Sequence, residues 1–141
     1  MNELVYRNLS EDAKRQICAW KYGGEYDLYN LPAYEEMQVR QIGFMNPKSE
    51  KNYYGFWDES ILVGFVNILE EKEEVFIGIG VNPDLCNKHY GQRMLLIAYE
   101  ISKKLYPNKP LYLEVRTWNT RAVKCYEKAG FRIDGQAYEL T

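Results

Sequence analysis

At 141 residues the chain is long enough for one compact domain with a buried core, and two halves would each be too small, so a single domain over 1–141 is expected. Eighteen basic and twenty acidic residues are interspersed, for a formal net charge of −2, which excludes the concentrated basic stripe that a nucleic-acid partner requires. No stretch approaches the ~20 apolar residues of a membrane span and Met1–Arg7 carries no export signal, while Cys18, Cys86 and Cys125 are widely spaced with His89 the sole histidine; free thiols, a cytoplasmic location and no metal site are expected.

Glu3 to Asn8 reads as an edge strand. Ser10 then offers a cap ahead of the acidic pair Glu11 and Asp12, and Ala13, Ile17 and Trp20 recur at helical spacing, predicting a helix to about Tyr22 that Gly23-Gly24 can end. Residues 25–46 are irregular and aromatic, with a short helix expected over Ala33 to Ile42. Asn52 to Trp57 and Ile61 to Leu69 are β-rich runs joined by Asp58-Glu59-Ser60, which suggests a hairpin. Val75 to Val81 is an apolar strand whose glycines mark either a bulge or a close approach to the backbone. Tyr90, Met94, Ile97, Ala98, Ile101 and Leu105 trace an amphipathic helix that Tyr106-Pro107-Asn108 stops. Leu111 to Arg116 alternates like a strand, a helix follows from about Thr120 to Lys128, and Phe131 to Leu140 supplies a last strand or strand pair. The order defines a mixed α/β sheet covered by helices.

The chemistry concentrates in Val81-Asn82-Pro83-Asp84-Leu85-Cys86-Asn87-Lys88-His89-Tyr90-Gly91-Gln92-Arg93-Met94-Leu95. A strand delivers a tight loop into a helix N-terminus, whose unpaired N–H groups and dipole attract an anion such as a pyrophosphate. The segment resembles the acetyl-CoA-binding motif of the GNAT superfamily, Val-x-Pro-x-x-Arg/Gln-Gly-x-Gly-x-Gly/Ala, with Val81, Pro83, Gly91 and Leu95 in register. Cys86 stands where the motif has Arg or Gln, and Asn87 and His89 stand where it has Gly. Asn and His are among the residues most tolerant of left-handed backbone angles. Downstream, Leu113, Glu114, Val115, Asn119, Ala122, Tyr126, Gly130 and Phe131 all agree with the superfamily's Leu-Glu-Val-x-x-x-Asn-x-x-Ala-x-x-x-Tyr-x-x-x-Gly-Phe. This second pattern is similar to that of the ribosomal-protein alanine N-acetyltransferases.

The resemblance implies a mostly antiparallel mixed central sheet with helices on both faces, and transfer of an acetyl group from acetyl-CoA, with no metal, to an amine. It implies that the N–H of Ile79 faces the oxyanion, that Gly80 and Val81 line the pantetheine arm, and that Asn87, Lys88, His89, Tyr90, Gly91 and Gln92 surround the pyrophosphate. Tyr126 is the implied general acid, since a phenol of pKa ~10 is protonated at neutral pH. Asn119 shares its helical face and can bond the pantetheine arm. Each role has a plainer counterpart: Tyr126 as a core aromatic, Asn119 as a helix cap, Ile79 and Val81 as ordinary strand residues. Glu114 is the base candidate, a carboxylate that partial burial would make more basic, or else it pairs with Arg116 or a lysine on the surface. His89 reads as a loop residue, and Cys86 and Cys125 as small fillers. Part of the aromatic run Trp20, Tyr22, Tyr26, Tyr29 and Tyr34 can build an acceptor pocket suited to an apolar or cationic group. A small amine and a protein N-terminus both remain open as acceptors, as do a CoA-binding sensor without transfer, a longer acyl donor, and a homodimer.

Overall fold

The computed structural model describes residues 3–86, 88–116 and 118–132. Its frame is a five-stranded sheet in the order β1 (Val5–Asn8), β2 (Tyr53–Asp58), β3 (Ile61–Glu70), β4 (Val75–Val81) and β5 (Leu111–Tyr112). The first four pair antiparallel, and β5 joins β4 in parallel. Among the described residues four α-helices accompany it: α1 (Glu11–Ala19), α2 (Tyr34–Arg40), α3 (Tyr90–Leu105) and α4 (Thr120–Lys128).

Local chemistry explains the helices. The Ser10 hydroxyl accepts from the N–H of Ala13 at 3.1 Å, with Glu11 and Asp12 in the first turn. That helix ends at Ala19, three residues before the expected boundary. Trp20 turns extended, which lays its ring 6.3 Å from that of Phe65 and sends Tyr22 on to β4. Gly24, at φ +58, opens a short 3-10 turn over Gly24–Tyr29 instead of ending α1. Lys14, 2 % exposed, is ion-paired to Glu11 at 3.2 Å and to Glu50, tying α1 to the turn before β2. Burial opposes its charge, yet the bonds to Glu50 and Glu11 hold its pKa above the ordinary lysine value.

The core lies on both sides of the sheet. Met94, Leu95, Ala98 and Ile101 of α3 pack on Phe56, Val66, Ile68, Val75 and Ile77, while Ala13, Ile17 and Cys18 of α1 meet Met37, Phe44, Trp57 and Leu62. The apolar stripe read from residues 90–105 therefore buries the face it predicts.

The β3–β4 ladder runs unbroken from Gly64 opposite Val81 to Glu70 opposite Val75, so the β4 glycines mark close approach and not a bulge. A Cβ on Gly80 would collide with the Phe65 ring. The irregularity sits one strand over, where Phe56 pairs with Gly64 but Trp57 with Leu62.

The parallel pairing is short. It holds at Val75 with Leu111 and Phe76 with Tyr112, and then stops. The strand expected over Leu111 to Arg116 is thus only two residues long; residues 113–116 leave β4 and join no ladder among the described residues. Phe131 and Arg132 carry no strand, and the rest of the expected final strand lies outside the described residues. No described helix is long and apolar enough to cross a membrane.

Gly64 is where sheet and helix meet most tightly: an added Cβ would stand 2.5 Å from Met94 Cε and 2.6 Å from the Gly80 carbonyl oxygen. The methionine tip can move but the backbone cannot, so Gly64→Ala is expected to cost about 1–3 kcal/mol by overpacking. The measurement is a urea titration, in which the midpoint falls at unchanged slope.

Candidate active site

Where β4 and the segment after β5 diverge they open a cavity of about 600 Å³. Ile77 to Val81 form one wall and Leu113, Glu114 and Val115 another; the first turn of α3 closes one end, and Trp20, Tyr22, Tyr26 and Tyr29 close over it. This is ample for a drug-sized ligand or an extended cofactor arm.

Backbone direction along β4 follows from its hydrogen bonds. The N–H of Asn82 donates to the Val63 carbonyl on β3, and that of Val75 to the Pro110 carbonyl on the other side, both at 2.8 Å. Alternation in the antiparallel ladder then turns the main-chain groups of Ile79 and Val81 away from β3 and into the gap. Consistently, the Tyr22 hydroxyl reaches across to donate to the Val81 carbonyl at 2.6 Å. Burial raises the pKa of that phenol, so it stays a donor.

At the α3 end, His89 occupies the N-cap position with φ 65 and ψ 11, in the left-handed region, and its side chain makes no capping bond. The motif's glycine position is thus a true positive-φ site, filled here by a histidine. The N–H groups of Tyr90, Gly91 and Gln92 begin the helix without an intrahelical acceptor, and the ladder starts with Arg93 donating to His89 at 3.3 Å. The Tyr90 side chain is engaged elsewhere, donating to Asp58 at 2.6 Å, so its amide is what it can offer the cavity. A Cβ on Gly91 would lie 3.0 Å from Cys125 Sγ and 3.6 Å from Val81 Cγ2; glycine lets α3, α4 and β4 converge. Gln92 reaches the Lys128 carbonyl of α4 at 3.4 Å. Lys88 is exposed, and Asn87 lies outside the described residues.

The opposite wall belongs to α4. Asn119, 6 % exposed, caps it by accepting from Ala122 N at 3.2 Å, and its amide nitrogen donates to the Tyr29 hydroxyl at 3.1 Å. The helix-cap reading of Asn119 therefore holds, and its side chain also fixes Tyr29 beside the cavity. Tyr126 lines the cavity two turns later. Burial, with smaller effects of Cys125 and Tyr29, pushes its pKa up to about 12. Glu114 also lines the cavity and is exposed, which goes with the surface reading of it and not with partial burial. Burial raises the thiol pKa of Cys125 and of Cys86, the latter opposed by Arg121, so both are neutral. Among the described residues no cluster of potential metal ligands occurs.

Of the aromatic run, Tyr34 goes to the core, 8 % exposed with its hydroxyl on Glu11; the other four line the cavity. Sequence reasoning missed Phe65, which covers Gly80, and Trp118, whose ring lies 5.6 Å from Tyr26 and 6.4 Å from Tyr29. It also missed Arg121, Lys124 and Lys128 on the cavity side of α4, although their three- and four-residue spacing was legible.

Comparison with known proteins agrees with this geometry. The profile of the Acetyltransferase (GNAT) family matches residues 9–131. A GNAT-family acetyltransferase from Bacillus anthracis superposes with a TM-score of 0.77 at 18% identity, covering 95% of this chain and 82% of that one. A chimera of Vibrio cholerae spermidine N-acetyltransferase and hSSAT gives 0.76 at 20%, covering 95% and 83%. A GNAT-family acetyltransferase from Streptococcus pneumoniae gives 0.67 at 23%, covering 94% and 87%. No curated protein matches by sequence. The chain belongs to the GNAT acetyltransferase family. The match is to the family as a whole and does not single out the ribosomal-protein alanine N-acetyltransferases.

The backbone at His89 yields a direct test. His89→Gly exchanges the roughly 1–2 kcal/mol steric cost of a left-handed residue for a glycine entropy cost of about 0.5–1 kcal/mol, so its urea midpoint should equal or exceed wild type. His89→Val, β-branched at positive φ, should unfold at clearly lower urea.

Proposed function

We propose that the protein is an N-acetyltransferase that takes the acetyl group of acetyl-CoA to a primary amine by direct transfer in a ternary complex, within one domain. The observation that carries this reading is the edge of β4 that no described strand pairs beyond Phe76, with the main-chain groups of Ile79 and Val81 turned into a cavity whose other wall holds the Tyr126 phenol. When bound, acetyl-CoA would supply an activated carbonyl and a thiolate leaving group. The cavity suits it: an unpaired strand edge for an amide-bearing arm, and an unpaired helix N-terminus for a diphosphate.

In this reading the Ile79 N–H donates to the oxyanion as it forms. Gly80 presents bare backbone, and Val81 offers its N–H while Tyr22 holds its carbonyl. The amides of Tyr90, Gly91 and Gln92 face the diphosphate, with Asn87, Lys88 and His89 on the loop before them, and Asn119 sets the Tyr29 side of the arm. Tyr126 gives its proton to the departing sulfur. Glu114 takes a proton from the incoming ammonium through water, since an exposed carboxylate is solvated.

The acceptor side has aromatic rings to draw on, since Trp20 and Tyr29 line the same cavity as the Glu114 carboxylate. Rings and a carboxylate together attract an ammonium group, and the spermidine N-acetyltransferases that share the fold support a small polycationic amine over a protein N-terminus. The exposure of Glu114 favours one second reading, a CoA-binding protein without transfer.

A steady-state thiol-release assay decides. Spermidine, other small amines and an N-terminal peptide serve as acceptors, with acetyl-CoA and longer acyl-CoAs as donors; release should require both an amine and acetyl-CoA, whereas CoA binding without turnover for any amine supports the second reading. Tyr126→Phe should lower kcat by about 10²-fold and leave CoA affinity nearly intact, because a proton delivered in the transition state contributes little to the ground state. With its pKa pushed up to about 12, Tyr126 remains protonated far into alkali. The wild-type rate should therefore rise with pH as the amine deprotonates and show no fall from this group below about pH 11.

A further inference from the structure

The loop between β4 and α3 lacks a cation where its motif carries one. Cys86 holds that place as a neutral thiol, and Lys88 is exposed in the same loop as the acidic Asp84. Amides of a helix N-terminus hold a diphosphate but leave its charge in place, and a guanidinium adds an opposite charge and a planar fork that amides lack.

The cation comes from another element. Arg121 stands in the first turn of α4, lines the cavity with Leu85, Cys86 and His89, and lies over the Tyr26 ring at 4.3 Å from its centroid. Its charge is felt at both the Cys86 thiol and the Tyr22 phenol, where it favours the ionised forms. The guanidinium is thus held between the loop and the aromatic segment before α2.

Its placement is costly without an anion. A helix N-terminus is the positive end of its dipole and disfavours a cation, and the first turn of α4 contains no acidic residue. The first turn of α3 contains none either, and it packs on α4 through Gly91 and Cys125. The first turn of α3 thus meets α4 in its second half, at Cys125 and the Lys128 carbonyl, and Arg121 stands one turn before Cys125, lining the cavity with the loop that leads into α3. Stacking on Tyr26 fixes the guanidinium plane before any ligand arrives, which reduces the ordering cost of a bidentate contact.

We infer that Arg121 is the diphosphate-binding cation of this chain, supplied from α4 and steadied by Tyr26 in place of the loop cation missing at Cys86. The inference rests on the acetyl-CoA reading above. The test is calorimetric titration of wild type, Arg121→Gln and Arg121→Lys with CoA, together with the ratio of kcat/KM for acetyl-CoA over S-acetylpantetheine, which has no phosphate. Arg121→Gln should weaken CoA binding about tenfold, allowing for solvent screening, and lower that ratio by a similar factor. Arg121→Lys, which keeps charge but not the planar fork, should fall between. Cys86→Arg added to Arg121→Gln should recover much of the loss. Arg121→Gln binding CoA within twofold of wild type would overturn the inference alone, as would an equal loss with S-acetylpantetheine, which marks a packing role. Wild type that binds no acyl-CoA would overturn the acetyl-CoA reading itself and this inference with it.

Discussion

The site depends on the parting of β4 from β5. Two residue pairs, the second reinforced by an edge-on contact of Phe76 and Tyr112 with ring centroids 5.5 Å apart, pin the strands together. Beyond them the β4 edge runs on without a strand partner among the described residues, and backbone groups that a continued sheet would satisfy face a cavity instead. Unpaired main-chain donors are costly when water is excluded. Here water or a ligand must meet them, and an extended amide-bearing molecule can satisfy them as a strand would. One of these groups is already met by protein: the Tyr22 hydroxyl bonds the Val81 carbonyl.

The opening needs support from the other face, and the glycines of β3 and β4 explain how it is held. Without a side chain on Gly80, the Phe65 ring closes on the strand, and Trp20 then packs on Phe65. Without one on Gly64, Met94 brings α3 close to the sheet, so that the helix N-terminus arrives at the end of the same β4 edge. Aromatic cover and anion-attracting helix end are thus positioned by two missing Cβ atoms on neighbouring strands.

Much of this was legible in the sequence where local chemistry and packing agree. Val75–Val81, Tyr90–Leu105 and Thr120–Lys128 form with the bounds their periodicity implies, because each buries one face and is closed by strong local signals. The misses occur where tertiary geometry overrides pattern. Leu111 to Arg116 alternates like a strand, but alternation along one chain does not fix a neighbour, and among the described residues those that part from β4 pair with no strand. The helix from Glu11 stops before Tyr22 because Trp20 and Tyr22 gain more by packing on Phe65 and bonding Val81 than by another helical turn. Arg121 was visible only as a charge on a helix face; that it turns toward Cys86 follows from how α4 meets α3.

The buried phenol poses a problem of proton balance. Tyr126 is held protonated by the environment that pushes its pKa up to about 12, and a group that keeps its proton so firmly is a weak acid toward an ordinary thiolate, whose conjugate thiol has a pKa of about 8.5. In water such a transfer runs uphill by about 1.5 pKa units, and the shift of the phenol alone would widen the gap. The adjacent Cys125 shows how the same surroundings treat sulfur: burial raises its thiol pKa too. A thiolate expelled beside it would meet the same desolvation and become more basic just as it must accept the proton. Burial therefore acts on donor and acceptor in the same direction, and the mismatch between them does not widen by the full shift of the phenol.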